Sequence, residues 1–154
     1  MESMETIRGK VQWTDIVKPD DKDLVWLKKS FHVHPVIIEN LREPSARARV
    51  ETYDHYLYLI YQFPVYDQRE KISRRSEIDV LVTKKQVVTV HYENLTILDD
   101  FRKALANREF KEQALQNSLR LTYELFRALL DFNQRQLRHV QEKVEQIAGQ
   151  LFKS

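Results

Sequence analysis

The stretch LRLTYELFRALLDFNQRQLRHVQEKVEQIAGQLF, residues 119–152, contains no proline and one glycine, Gly149, and its apolar residues recur at helical spacing. The freedom from helix breakers reaches back to Phe110, so the pattern predicts one helix from Phe110 to Phe152. At about 1.5 Å per residue, roughly 40 residues span on the order of 60 Å, about twice the diameter of a small domain, so part of this helix must project. Leu119, Leu121, Tyr123, Leu125, Phe126, Leu129, Leu130 and Phe132 form a broad apolar face suited to covering a sheet. Beyond Asn133 the apolar residues thin to Leu137, Val140, Val144, Ile147 and Leu151, spaced by threes and fours among Gln, Arg, Glu and Lys. Such a narrow seam suits one or two neighbouring helices. The boundary is therefore expected between a domain, 1–132, and a protruding stalk segment, 133–154.

Working back from the helix, Tyr56-Leu-Tyr-Leu-Ile-Tyr-Gln-Phe63 is β-branched and aromatic on both faces and reads as a central strand. Ile78 to Thr83 and Gln86 to His91 read as two more strands joined at Lys84-Lys85, and Lys10 to Trp13 as a short first strand. Pro19-Asp20-Asp21 opens a helix carrying Leu24, Leu27 and Phe31, with a carboxylate placed to cap it. His34-Pro35 opens a second, shorter helix through Leu41, and Thr96 to Ala106 reads as a third. Strands and helices mixed in this order define a single α+β domain.

With 154 residues and 42% hydrophobic residues the chain can bury one core. A net charge of +2 gives no argument for nucleic acid, and Arg42, Arg47, Arg49, Lys71, Arg74 and Arg75 read as solvated surface before they read as an RNA patch. The absence of cysteine excludes disulfides and thiolate chemistry and fits a reducing compartment. Two glycines leave no phosphate-cradling loop, and no apolar run reaches the roughly 20 residues of a membrane-spanning helix.

No nucleophile stands beside a base, so the chain is not expected to be an enzyme. His32 and His34 would share a face if they lay on a strand, the best local metal signal in the chain, but capping of the following helix by His34 explains the pair more simply. The acidic pairs Asp20-Asp21 and Asp99-Asp100 fall in or near first helical turns, where carboxylates complement the helix dipole.

Phe31-His-Val-His-Pro-Val-Ile-Ile-Glu-Asn-Leu41 resembles the Phe-x-hydrophobic-His-Pro-Leu-hydrophobic-hydrophobic-Glu-Asp-hydrophobic segment of CorA-type magnesium transport proteins. The resemblance continues through Trp13, Arg49-Val-Glu51, Tyr53-Asp-His-Tyr56, Leu81-Val-Thr-Lys84, Val88-Thr-Val-His91 and Ala128-Leu-Leu-Asp131, covering nearly the whole chain. It implies a cytoplasmic α/β/α sandwich with a mixed, largely antiparallel sheet. Its last helix would run on as a stalk towards two transmembrane helices of a homopentamer that carries magnesium, or cobalt, nickel or zinc. The chain would then be a sensor and scaffold domain on the cytoplasmic side of the cell membrane, itself soluble, coupling domain packing to pore gating through the stalk.

The same resemblance implies regulatory Mg2+ between neighbouring subunits, with no other cofactor required and no nucleic-acid partner. Glu39 matches a family acidic residue, whereas Asn40 stands where aspartate is common and Arg127 where another aspartate can occur. An amide and a guanidinium in place of carboxylates weaken a site for a hard dication. Arg127 is accordingly expected to reach Glu39 and supply the positive charge in fixed form. The rival reading is a stand-alone cytosolic interaction module that uses its C-terminal amphipathic helix to bind a partner helix.

Overall fold

The computed structural model describes residues 2–153. Six strands form one sheet: β1 (Met4–Arg8), β2 (Gln12–Val17), β3 (Arg49–Thr52), β4 (Leu57–Asp67), β5 (Ile72–Val82) and β6 (Gln86–His91). The order is β1-β2-β6-β5-β4-β3; β2 and β6 run parallel and every other pair is antiparallel. The five helices are α1 (Asp21–Phe31), α2 (Pro35–Asn40), α3 (Thr96–Ala104), α4 (Arg108–Ala114) and α5 (Ser118–Leu151).

Alternation along the strands sends side chains to two separate cores. Trp13, Phe63, Ile78, Val80, Val82 and Val87 pack on one face against α3, α4 and α5. Ile16, Tyr58, Ile60, Leu81, Val88 and Val90 pack on the other against α1 and α2. The α/β/α sandwich with a mixed sheet and a long last helix is thus the observed architecture.

The helix starts follow their local chemistry. Asp20 and Asp23 form a capping box on α1, each carboxylate accepting from the other's backbone N–H. The His34 Nδ1 accepts from the Val36 N–H at 3.2 Å with Pro35 at the first helical position. Thr83 bonds both to and from Gln86 across Lys84-Lys85, which closes that hairpin without glycine.

Several expectations are corrected. An edge strand, β1, precedes the first one expected, and β2 begins at Gln12 and runs on to Val17 rather than occupying Lys10–Trp13. Leu57–Phe63 of the Tyr56–Phe63 stretch lies in β4, one place from the sheet edge, because the short β3 covers its outer side. The predicted Phe110–Phe152 helix is two helices. Asn117 adopts an extended backbone, and its side chain accepts from the Arg120 N–H at 2.7 Å, starting α5 afresh. The break lets the Leu115 carbonyl accept from the Val11 N–H at 3.1 Å, and there the Leu115 side chain sits so close to Gly9 that an added Cβ would lie 2.8 Å from the Leu115 Cβ.

Two polar networks cross-link the layers. Beneath α3, the buried Asp15 carboxylate meets His91 Nε2 at 3.0 Å and Arg102 Nη2 at 2.7 Å, while the Trp13 Nε1–H donates to Thr89. Burial works against a charged His91, but the hydrogen bond and charge of Asp15 outweigh it and raise its pKa. On the opposite face Asp79 is fully buried and accepts from the Tyr58 hydroxyl at 2.6 Å. Burial above all, then neighbouring Glu77, pushes the Asp79 pKa up to about 8.

Candidate functional site on the long helix

The apolar residues of α5 divide between two directions. Leu121, Leu125 and Leu129 are buried on the sheet, and the Phe126 and Phe132 rings meet Tyr61 and Phe63 edge to face. Leu119, Tyr123 and Leu130, expected to cover the sheet with them, instead point outward and stay more than half exposed. Tyr123, Leu130, Leu137, Val144 and Leu151 recur every seven residues, the spacing that holds one line along a helix facing a neighbour. Leu130 is 56% exposed, Leu137 60% and Val144 59%. Val140 and Ile147 flank the line at 37% and 47%. The seam read from Leu137 to Leu151 therefore starts further back, on the side of the domain itself.

The register of this stripe is held by the domain. The β4–β5 hairpin runs alongside α5: the Gln136 Oε1 accepts from the Tyr66 N–H at 2.8 Å, and the His139 ring stacks on Tyr66 with centroids 5.6 Å apart. The Lys143 ammonium lies 5.8 Å from the Tyr66 ring centroid and bonds to the Lys71 carbonyl. The Asn133 amide donates to the Tyr61 hydroxyl. Contacts with the sheet layer thus continue past Asn133 as far as Lys143.

The positions carried over from the resemblance do not meet within one chain. Glu39 is exposed on α2 and pairs with Arg42 at 3.2 Å, and Arg42 also reaches Asp21 at 2.7 Å. Asn40 follows it, half-buried at the end of α2. Arg127 is exposed on α5, lining a cleft with Asp100 and Asp131. Since α2 and α5 pack on opposite faces of the sheet, the expected Arg127–Glu39 contact is absent, and Arg42 takes that carboxylate instead. Within one chain, Glu39 paired with Arg42, the Asn40 amide oxygen and the Arg127 guanidinium make a poorer donor set than the carboxylates a hard dication prefers.

The remaining sequence signals resolve into structural roles. His32 ends α1 in the left-handed conformation and His34 caps α2, so neither sits on a strand as a metal pair would require. Among the described residues no cluster of three or more His, Asp or Glu is arranged to hold a metal ion. Of the basic residues weighed as an RNA patch, Arg42, Arg49 and Arg74 pair with Asp21, Glu51 and Glu93 respectively. No described helix is long and apolar enough to cross a membrane.

Residues 8–154 match the family model described as CorA-like Mg2+ transporter protein. The putative metal ion transporter YfjQ of Bacillus subtilis is 28% identical over 79 residues, covering 51% of this chain and 24% of that protein. The complete structure of the CorA magnesium transporter from Methanocaldococcus jannaschii superposes with a TM-score of 0.76 at 15% identity, over 100% of this chain and 48% of that one. The soluble domain of the same transporter superposes at 0.72 and 15% identity, over 94% of this chain and 57% of that one. This chain spans about a quarter of YfjQ and about half of the full CorA chain. By the family match along nearly its whole length, the chain belongs to the CorA-like Mg2+ transporter family.

Proposed function

We propose that this chain is the cytoplasmic sensor and scaffold domain of a CorA-like metal ion transport protein, in which copies pack side by side, as a homopentamer, through the outward stripe of α5. The observation that carries this reading is the heptad line Tyr123, Leu130, Leu137 and Val144, exposed along a helix that the hairpin grips from another side. A row of large apolar side chains on a rigid helix is a surface made to be covered, and its length lets one copy set the tilt of the next. The domain then acts on transport by population shift: whatever alters packing between copies biases the splay of the α5 helices.

Magnesium, or a related divalent ion, is the proposed cargo of the larger assembly. It is not proposed as a ligand at Glu39, Asn40 and Arg127. Glu39 pairs with Arg42 within α2, on the face of the sheet opposite α5, so assembly through the α5 stripe is expected not to depend on an ion at those positions.

Cysteine cross-linking tests this reading in a chain that contains no native cysteine. Val144→Cys, on the stripe, is expected to form a disulfide between copies under mild oxidation. Glu142→Cys, exposed roughly 160° around the helix, is expected to stay monomeric. Equal cross-linking at the two positions would overturn the assignment of the face.

A further inference from the structure

A cleft of about 930 Å3 opens at the end of the sheet where α1 finishes, the β3–β4 loop passes, the β5–β6 hairpin turns and α5 begins. It lies at the N-terminal end of α5, away from Leu137, Val144 and Leu151 of the stripe. One wall is aromatic. Tyr53 and Tyr56 are stacked with centroids 4.7 Å apart and an 11° interplanar angle. Both rings are pinned by their hydroxyls: Tyr53 donates to the Glu51 carboxylate at 2.7 Å, and Tyr56 accepts from the His34 N–H at 3.1 Å. The rings thus form a preorganised flat surface rather than a mobile one.

The hairpin tip and the start of α5 add positive charge to the cleft. Lys84 and Lys85 stand exposed at the hairpin tip, and neither enters an ion pair among the described residues. The start of the 34-residue helix α5 adds the positive end of its dipole. Asn117 satisfies only the Arg120 N–H. Ser118, 94% buried among the residues lining the cleft, has a hydroxyl with no hydrogen-bond partner, and the side-chain oxygen of Gln86, also on the lining, has none either. Asp54 is the sole carboxylate among the lining residues. An unpaired pair of lysines, an orphan hydroxyl at a helix N-terminus and a fixed aromatic wall share one requirement. Their ligand has a planar ring at one end and negative charge at the other.

We propose that this cleft binds a nucleoside phosphate, its base against Tyr53 and its phosphates between Lys84, Lys85 and the first turn of α5. Stacking on tyrosine is tolerant of base identity, so the assignment is to the class and not to one base. The volume suits a mono- or diphosphate. The α5 helix that carries the assembly stripe begins in this cleft, so occupancy would also be felt at the helix's first turn.

The test is equilibrium binding of adenosine 5′-diphosphate to the full chain in magnesium-free buffer. Saturable binding is expected, with adenosine alone and inorganic phosphate alone each at least about tenfold weaker, because each meets half of the site. Lys84→Glu with Lys85→Glu, at an exposed turn, should weaken binding by about tenfold or more while leaving the melting temperature unchanged. Tyr53→Leu should weaken it about fivefold or more. Absence of saturable binding at millimolar nucleotide, or equal binding by the double lysine variant, would overturn the proposal. A short oligoadenylate binding more tightly than the mononucleotide would also overturn it, in favour of a nucleic-acid strand. None of these results bears on the α5 assembly face, which is read by cross-linking.

Discussion

Replacing Asp79 by asparagine should change how stability depends on pH, in a direction set by the burial of this carboxyl. Asp79 has no exposed surface, and its pKa is pushed up to about 8 from the 3.8 of an ordinary aspartate. Between those values the folded chain holds a proton on Asp79 that the unfolded chain has released. The contribution is fully present below pH 3.8 and is lost as pH rises through 8. With one proton more in the folded state, stability falls by about 1.4 kcal/mol per pH unit from this group alone, or about 3 kcal/mol between pH 5 and pH 7. Asparagine resembles the protonated acid in shape and retains an oxygen to accept from Tyr58, so Asp79→Asn should remove that slope while keeping the fold. The measurement is urea unfolding of both proteins at pH 5, 6 and 7, taking their difference at each pH. His91, whose pKa is also raised, titrates alike in both and cancels. The variant should gain on the wild type steadily as pH rises. Parallel pH profiles would refute the argument, since Asp79 would then ionise alike in the folded and unfolded chain.

Asp15→Asn leaves Arg102 and His91 facing an amide in a buried site, and urea unfolding should register a loss of about 3 kcal/mol. Gly9→Ala places a methyl 2.8 Å from the Leu115 Cβ and should destabilise by about 1–3 kcal/mol, read as a lower unfolding midpoint with an unchanged denaturant slope. Tyr66→Ala removes the ring that His139 and Lys143 rest on. Amide exchange over residues 136–143 should accelerate about fivefold, with residues 121–129 unchanged.

Much of this fold was legible because the same residues signal at several levels. Pro19-Asp20-Asp21 advertises the start of α1, and His34-Pro35 that of α2. Val87, Val88 and Val90 put apolar side chains on both faces, as a strand buried between helix layers does. The family resemblance rested on the Phe31–Leu41 segment and supplied the layer order that periodicity alone does not contain.

What escaped did so for identifiable reasons. β1, Met-Glu-Thr-Ile-Arg, is an edge strand with Glu5 and Arg8 exposed and Met4 and Ile7 three places apart, so it lacks the apolar alternation of its neighbours. The break before α5 is signalled by Asn117, a residue favoured at helix caps and poor in helix interiors, but counting glycine and proline alone as breakers passes over it. Helical periodicity assigned Leu119, Tyr123 and Leu130 to the core, because it shows that residues share a stripe without showing what the stripe meets. The burial of Asp79 left no signal in the sequence, because it follows from the second helix layer covering that face of β5 as well. The Arg127–Glu39 contact failed because sequence matching gives positions along a chain, whereas the sheet lies between these two. Arg42, three residues from Glu39, was the partner available by helical spacing.

Sedimentation of the chain over a range of concentrations, beside a Leu130→Glu, Leu137→Glu variant and with and without millimolar magnesium, tests the central claim most directly. The account predicts concentration-dependent self-association of the wild type that is the same in both buffers and is abolished in the variant, whose helix content is unchanged because both residues are exposed. Association that survives the two substitutions, or that appears only with magnesium, would contradict it.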